Sequence, residues 1–245
     1  MQKETVLLHG WGMNRQVWQL IEEELQSEVS CLVKSIDLPG FGHGAMPEAP
    51  YSLATAAQLV AEQLADNTTL VGWSLGGLFA LHLAKYYPQK VNKVVLIAST
   101  PYFAEAEGWA GIKVEVLKNF KAQLIENSAK TIERFLAIQA MGSEHAKADV
   151  KQLKAWLLNA PEANPDALST GLDILLNDDY RDIFSSLTQP VYGLFGKLDS
   201  LVPRRAITKM SALNSNFQVE ILPKASHAPF ISHRAESLNF LKSVL

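Results

Sequence analysis

Residues 70–84 read LVGWSLGGLFALHLA. The first half ends a strand-like run, TTLVGW (Thr68–Trp73), and the second half reads as a helix. Between them Gly72, Ser74 and Gly76 spell G-x-S-x-G. A tight strand-to-helix turn of this kind lifts a serine above a sheet into a cleft, and the two glycines make room for neighbouring backbone. It also leaves Ser74 at the start of a helix, where unpaired N–H groups and the positive helix end favour developing negative charge. The plainer alternative is a serine that only caps the helix.

Outward from this turn the chain alternates. TVLLHG (Thr5–Gly10), SCLVKSIDL (Ser30–Leu38), KVVLIAS (Lys93–Ser99), PVYGLFG (Pro190–Gly196) and FQVEILP (Phe217–Pro223) have the composition of buried strands. Val17–Gln26, Leu53–Asp66 and Leu75–Tyr87 have helical spacing. Alternation of β and α implies crossovers, hence an α/β fold with a mostly parallel sheet and helices on both faces. The alternation stops after Ser99, and residues 102–186 offer helices only: Ala122–Met141, His145–Leu158 and Asp166–Leu176, the last opened by Asn164-Pro165. An insertion at that point lies above the carboxyl edge of the sheet, where open α/β folds bind ligands. The expected organisation is one domain, a core of residues 1–100 and 187–245 with residues 101–186 as a helical lid before the last strands.

The chain has 245 residues, 48% of them hydrophobic and 19% charged, as in soluble globular proteins. A net charge of −3 argues against a general nucleic-acid surface. Cys31 is the single cysteine, so neither an intramolecular disulfide nor a cysteine zinc site is available. No signal peptide and no membrane span is read from the sequence. A cytoplasmic monomer without metal or cofactor is expected.

A serine nucleophile needs a base, normally a histidine oriented by a carboxylate. Of six histidines, His227 in KASHAPF follows a late strand on the carboxyl side of the sheet, between the small residues Ala225 and Ala228. Asp199 in LFGKLDSLVP follows another strand, and Asp37 in SIDLPGFG is its rival. The order Ser74, Asp199, His227 fits the serine–acid–histidine order of such folds, whereas Asp37 does not. The oxyanion donors expected are the backbone N–H groups of Leu75 and Trp11, the latter in HGWG after the first strand. GFGHGA (Gly40–Ala45) fits a dinucleotide fingerprint, but MPEAP follows it where a helix should open, so it reads as a turn.

Together LLHGWG, IDLPGFGHG, LVGWSLGG, GKLDSLVP and ASHAPF resemble the α/β-hydrolase superfamily over nearly the whole chain. Trp11 and Trp73 beside the site, TIERFLAIQAMGS and LNDDYRD resemble the pimeloyl-[acyl-carrier protein] methyl ester esterases of biotin synthesis. That resemblance implies hydrolysis of a methyl ester on a carrier-bound pimeloyl chain, with acyl-carrier protein as partner. It implies substrate contacts at Trp11, Ser74, Leu75, Phe135, Gln139 and His227. Such enzymes usually carry a hairpin before the LLHGWG strand; this chain starts nearly on it, so the antiparallel edge of the sheet is expected to be absent or shortened. The triad alone does not separate this activity from another esterase, a thioesterase, a C–C bond hydrolase or a hydrolase-fold receptor.

Phe135, Leu136, Ile138 and Met141 could line an acyl groove beside Trp11, Trp73 and Phe103, or form the packing face of the lid. Lys130 and Arg134 lie four apart on one expected helix, and Lys147, Lys151 and Lys154 form a stripe on the next. With the resemblance, these basic residues imply a docking face for an acidic carrier. Glu126, Glu133, Glu144 and Asp149 interleave with them and could neutralise the patch.

Overall fold

The computed structural model describes residues 3–141 and 146–245. His145 and Glu144 lie outside the described residues. Among the described residues six strands form one sheet in the order β2-β1-β3-β4-β5-β6: β1 Glu4–Leu8, β2 Leu32–Ile36, β3 Thr68–Trp73, β4 Val91–Ile97, β5 Val191–Gly196 and β6 Phe217–Leu222. Every pairing of these strands among the described residues is parallel.

Side-chain alternation along these strands builds two cores. Val6, Leu8, Leu70, Val94 and Leu96 point to one face, where α2 (Leu53–Ala61) and α3 (Leu75–Tyr86) pack. Leu7, Val71, Val95 and Ile97 point to the other, covered by α1 (Gln19–Glu28) and a C-terminal helix, Arg234–Val244. Covering both faces explains why the central strands β1, β3 and β5 are buried along nearly their whole length, whereas the edge strands β2 and β6 carry exposed residues.

Between β4 and β5 the described residues form α4 Val114–Glu126, α5 Ser128–Gln139, α6 Ala146–Leu158, α7 Pro165–Asn177 and α8 Arg181–Ser186. The single helix expected over Ala122–Met141 is two. Asn127 takes an extended backbone (φ −157°, ψ 91°), and its side chain accepts the Lys130 N–H at 3.0 Å, ending α4 and capping α5. An asparagine that can satisfy orphan helix donors breaks an otherwise continuous apolar period. The expected Leu53–Asp66 helix stops at Ala61, and the start expected at Val17 is a 3-10 turn, Arg15–Trp18, capped by Asn14 before α1. Asn164 caps α7 with Pro165 in its first turn. α9 (Arg204–Leu213), α10 (Pro229–Ser232) and α11 (Arg234–Val244) complete the chain.

The sheet and α3 meet with no room between them. A Cβ on Gly76 would lie 2.6 Å from the Leu8 carbonyl oxygen and 2.7 Å from that of His9. Gly108, by contrast, has φ +70° and nothing within 4 Å of the place a Cβ would take. Gly76→Ala is therefore expected to lose about 3 kcal/mol or more, since backbone cannot yield as a side chain does. Gly108→Ala should lose only about 1–2 kcal/mol, the backbone cost of left-handed conformation. Urea unfolding of the two variants checks the order.

Candidate active site

Ser74 stands between β3 and α3 with φ 54° and ψ −119°, a conformation that L residues avoid. Three bonds hold it there. Its N–H donates to the Ile97 carbonyl at 3.0 Å, and its own carbonyl accepts from Gly77 N–H at 3.0 Å and Ser99 Oγ at 2.7 Å. A Cβ on Gly72 would sit 2.4 Å from the Gly76 oxygen, so the turn closes only with glycine there.

Ser74 Oγ is 3.0 Å from His227 Nε2, and His227 Nδ1 is 2.8 Å from Asp199 Oδ2. The other carboxylate oxygen of Asp199 accepts the backbone N–H groups of Leu201 (2.8 Å) and Val202 (3.1 Å), which aims Oδ2 at the imidazole. A carboxylate accepts, so the proton sits on Nδ1 and leaves the Nε2 lone pair to the Ser74 hydroxyl. The His227 backbone is gripped from both sides: its carbonyl accepts Trp73 Nε1–H at 2.8 Å, and its N–H donates to the Gln139 carbonyl at 3.2 Å. Asp37 lies elsewhere, accepting from the N–H groups of Arg15 (2.7 Å) and His43 (3.0 Å) and so fixing two turns.

The loop after β1 lies against this serine; a Cβ on Gly10 would be 3.2 Å from Ser74 Cβ. His9 shapes that loop. Leu38 N–H donates to His9 Nε2 at 2.9 Å, so Nε2 is the acceptor, and His9 Nδ1–H donates to the Gly10 carbonyl at 2.8 Å. Peptide planarity then turns the Trp11 N–H the opposite way from the Gly10 carbonyl. Leu75, as the first residue of α3, has an N–H with no partner inside the helix. The loop after β1 and the first turn of α3 thus both lie against the serine.

The inserted helices cover the site. Ser74 is 3% exposed, and the His227 side chain 1%. Phe135 of α5 meets the Trp11 ring edge-on at 4.8 Å between centroids, and Gln139 is buried beside His227 with no partner for Oε1 among the described residues. Trp11 Nε1–H donates to the Leu168 carbonyl of α7 at 2.9 Å. An open cleft of about 1060 Å³, bounded by Gly40, Met46, Leu124, Asn164 and Leu168, lies beside this cover, and none of the three hydrogen-bonded residues lines it. Leu136 joins the core that contains Trp73, while Met141 is exposed. Ser99, Leu168 and Gly171 stand outside the motifs read from the sequence. A glycine within an apolar helical run was a readable signal at Gly171; Ser99 and the Leu168 carbonyl had none.

On the outer side Lys130, Lys147 and Lys151 are exposed. Arg134 reaches Gln123 Oε1 at 2.9 Å and lies over the Phe120 ring at 5.4 Å. Lys154 is occupied by Glu133. Asp149, expected among the charges that interleave with this patch, is on the buried side of α6 with Leu153 and Trp156. The helix turns it inward, four residues before Leu153, so it does not interrupt the exposed lysines.

An α/β sheet, a serine at a strained strand–helix turn and a buried histidine–carboxylate pair define a class, and the chain belongs to it: residues 5–239 match the alpha/beta hydrolase family. Within that family it is 48% identical over 236 residues, 95% of this chain and 90% of the relative, to a pimeloyl-[acyl-carrier protein] methyl ester esterase of Pseudoalteromonas atlantica. It is 45% identical to the protein of that name from Vibrio parahaemolyticus, over 95% of this chain and 90% of the relative. An esterase from Exiguobacterium antarcticum shares the fold, with a TM-score of 0.86 at 23% identity over 99% of this chain and 91% of that one.

Burial pushes the neutral His9 down from 6.5 to about 4. Between those values the unfolded chain binds a proton that the folded chain refuses. Stability is therefore full above about pH 6.5 and falls as pH drops toward 4, by at most about 1.4 kcal/mol per pH unit for this group. His82, buried against Tyr180, is also pushed down to about 4 and acts with the same sign. Urea unfolding at steps from pH 7 to pH 4 should give this slope, and His9→Asn should make it shallower by about one proton.

Proposed function

We propose that this chain is a cytoplasmic serine carboxylesterase that hydrolyses the methyl ester of pimeloyl-[acyl-carrier protein] in biotin synthesis. The carrying observation is the buried chain of hydrogen bonds from Ser74 through His227 to Asp199. The substrate rests on the relatives of that name at 48% and 45% identity.

In this reading Ser74 Oγ attacks the ester carbonyl while His227 Nε2 takes its proton. The tetrahedral oxygen receives the N–H groups of Leu75 and Trp11. Collapse expels the methoxy group, to which His227 returns the proton, releasing methanol and leaving an acyl ester on Ser74. Water then attacks with His227 as base, and the free carboxylate departs on the carrier. Asp199 holds the imidazole tautomer and stabilises the imidazolium.

Residues 101–186 act as the lid on the core of residues 1–100 and 187–245. Phe135 and Gln139 cover Trp11 and His227, so α5 is the element that yields to an incoming chain, and the substrate then contacts Trp11, Phe135 and Gln139. Lys130, Arg134, Lys147 and Lys151 receive the acidic carrier on the outer side of α5 and α6. Among the described residues no helix is long and apolar enough to cross a membrane.

Ser74→Ala should keep the fold and lose about 10⁶-fold in kcat, and a phosphonate should label the parent at Ser74 alone. Asp199→Asn should lose about 10⁴-fold, with Asp37→Asn active. Labelling elsewhere, or an inactive Asp37→Asn beside an active Asp199→Asn, contradicts the assignment. A second test concerns the carrier. Reversing Lys130, Lys147 and Lys151 to glutamate should lower kcat/KM on the carrier-linked ester by about tenfold or more, and salt should mimic part of the loss. A small free ester should be hydrolysed as before; equal damage to both substrates means that the lysines hold the lid together.

A further inference from the structure

The oxyanion loop is held from an unexpected quarter, the interior of a helix in the inserted segment. Gly171 lies buried in α7, three residues after Leu168. A glycine inside a helix weakens it, so the position gains something else from having no side chain. A Cβ there would sit 2.7 Å from Trp11 Cδ1, 3.0 Å from Trp11 Nε1 and 3.7 Å from a terminal carbon of Leu75. The indole has nowhere to retreat: Nε1–H is bonded to the Leu168 carbonyl one turn back, Phe135 closes its edge, and the residue is fully buried. One Cα of α7 therefore faces both Trp11 and Leu75.

We propose that Gly171 is a positioning residue for the oxyanion site. Its missing side chain gives the Trp11 indole a slot on α7, and the Leu168 carbonyl locks the ring in that slot. The ring carries its own backbone with it, so the Trp11 N–H is set from above by α7 and from below by the His9 bond to the Gly10 carbonyl. The proposal rests on the reading of Trp11 as an oxyanion donor. It goes beyond that reading by making the docked helix α7 part of the apparatus that fixes the donor.

The test uses the full chain and a p-nitrophenyl ester, with Gly171→Ala, Trp11→Ala and the double variant. Gly171→Ala should lower kcat by about 10- to 100-fold, short of the loss of a whole oxyanion donor, with KM changed less than about threefold. Affinity for a trifluoromethyl ketone, which presents the tetrahedral oxygen, should fall by the same factor as kcat. Trp11→Ala should show a similar loss, and adding Gly171→Ala to it should cost nothing further, because the ring the methyl group strikes is gone. Gly171→Ala with parental kcat and ketone affinity, or losses that multiply in the double variant, would overturn the proposal. If Gly171→Ala does not fold, Trp11→Ala decides: kcat and ketone affinity falling together support the proposal, and unchanged values overturn it. A parent whose activity survives Ser74→Ala fails the esterase reading instead, so the two failures are distinct.

Discussion

The structure turns on the backbone of one residue. Ser74 holds φ 54°, which costs about 1–3 kcal/mol for a side-chain-bearing residue. That cost is met by neighbours that permit no other path: Ile97 and Ser99 at the end of β4, and Gly72 and Gly76 pressed backbone to backbone. Ala98, beside it, also has a positive φ, of 44°, and its N–H is bonded to the Leu194 carbonyl of β5. Two strained residues thus stand at the carboxyl ends of adjacent central strands. The tight sheet–helix contact, the apolar cores on both faces and the crossover topology all serve to keep that corner shut. This is the arrangement in which a hydroxyl stays poised without relaxing into an ordinary helix cap.

The cover over the site has two unlike halves. α7 and the segment after it are fastened to the core at several places: Trp11 to Leu168, Asn164 N–H to the Gly40 carbonyl at 2.8 Å, and Tyr180 to both Pro101 and His82. The end of α5 is tied to the histidine loop itself, through the Gln139 carbonyl to His227 N–H and the Met141 carbonyl to Ser226 Oγ at 2.7 Å. Displacing α5 releases bonds on the very loop that carries the proposed base. In the proposed reading, admission of a substrate and alignment of the imidazole are thereby linked through these two bonds.

Much of this was legible in the chain. The six strands were legible in the sequence, the central ones because burial on both faces demands apolar residues and the edge strands β2 and β6 from shorter aliphatic stretches, and the elbow from glycine, serine and glycine at that spacing. Asp199 and His227 could be placed by their strand ends. The break at Asn127 was hidden because the apolar period of α4 runs on into α5, and only the capping bond reveals the stop. The inward turn of Asp149 was also hidden: three-dimensional packing overrode the expectation that a charge faces water. Backbone partners such as the Leu168 and Gln139 carbonyls carry no sequence signal at all, since every residue has one.

The order in which the three hydrogen-bonded residues occur has a consequence for biosynthesis. Ser74 sits at the end of β3, and the strands that brace it, β1 and β4, are complete by Ile97. Asp199 and His227 follow only after β5 and β6. A ribosome therefore displays the elbow long before it has made the groups that would activate it. In the proposed reading, a nascent chain that has not yet reached residue 227 carries the elbow hydroxyl without its base. In that reading the site is complete only when the loop carrying His227 packs against Trp73 and the end of α5.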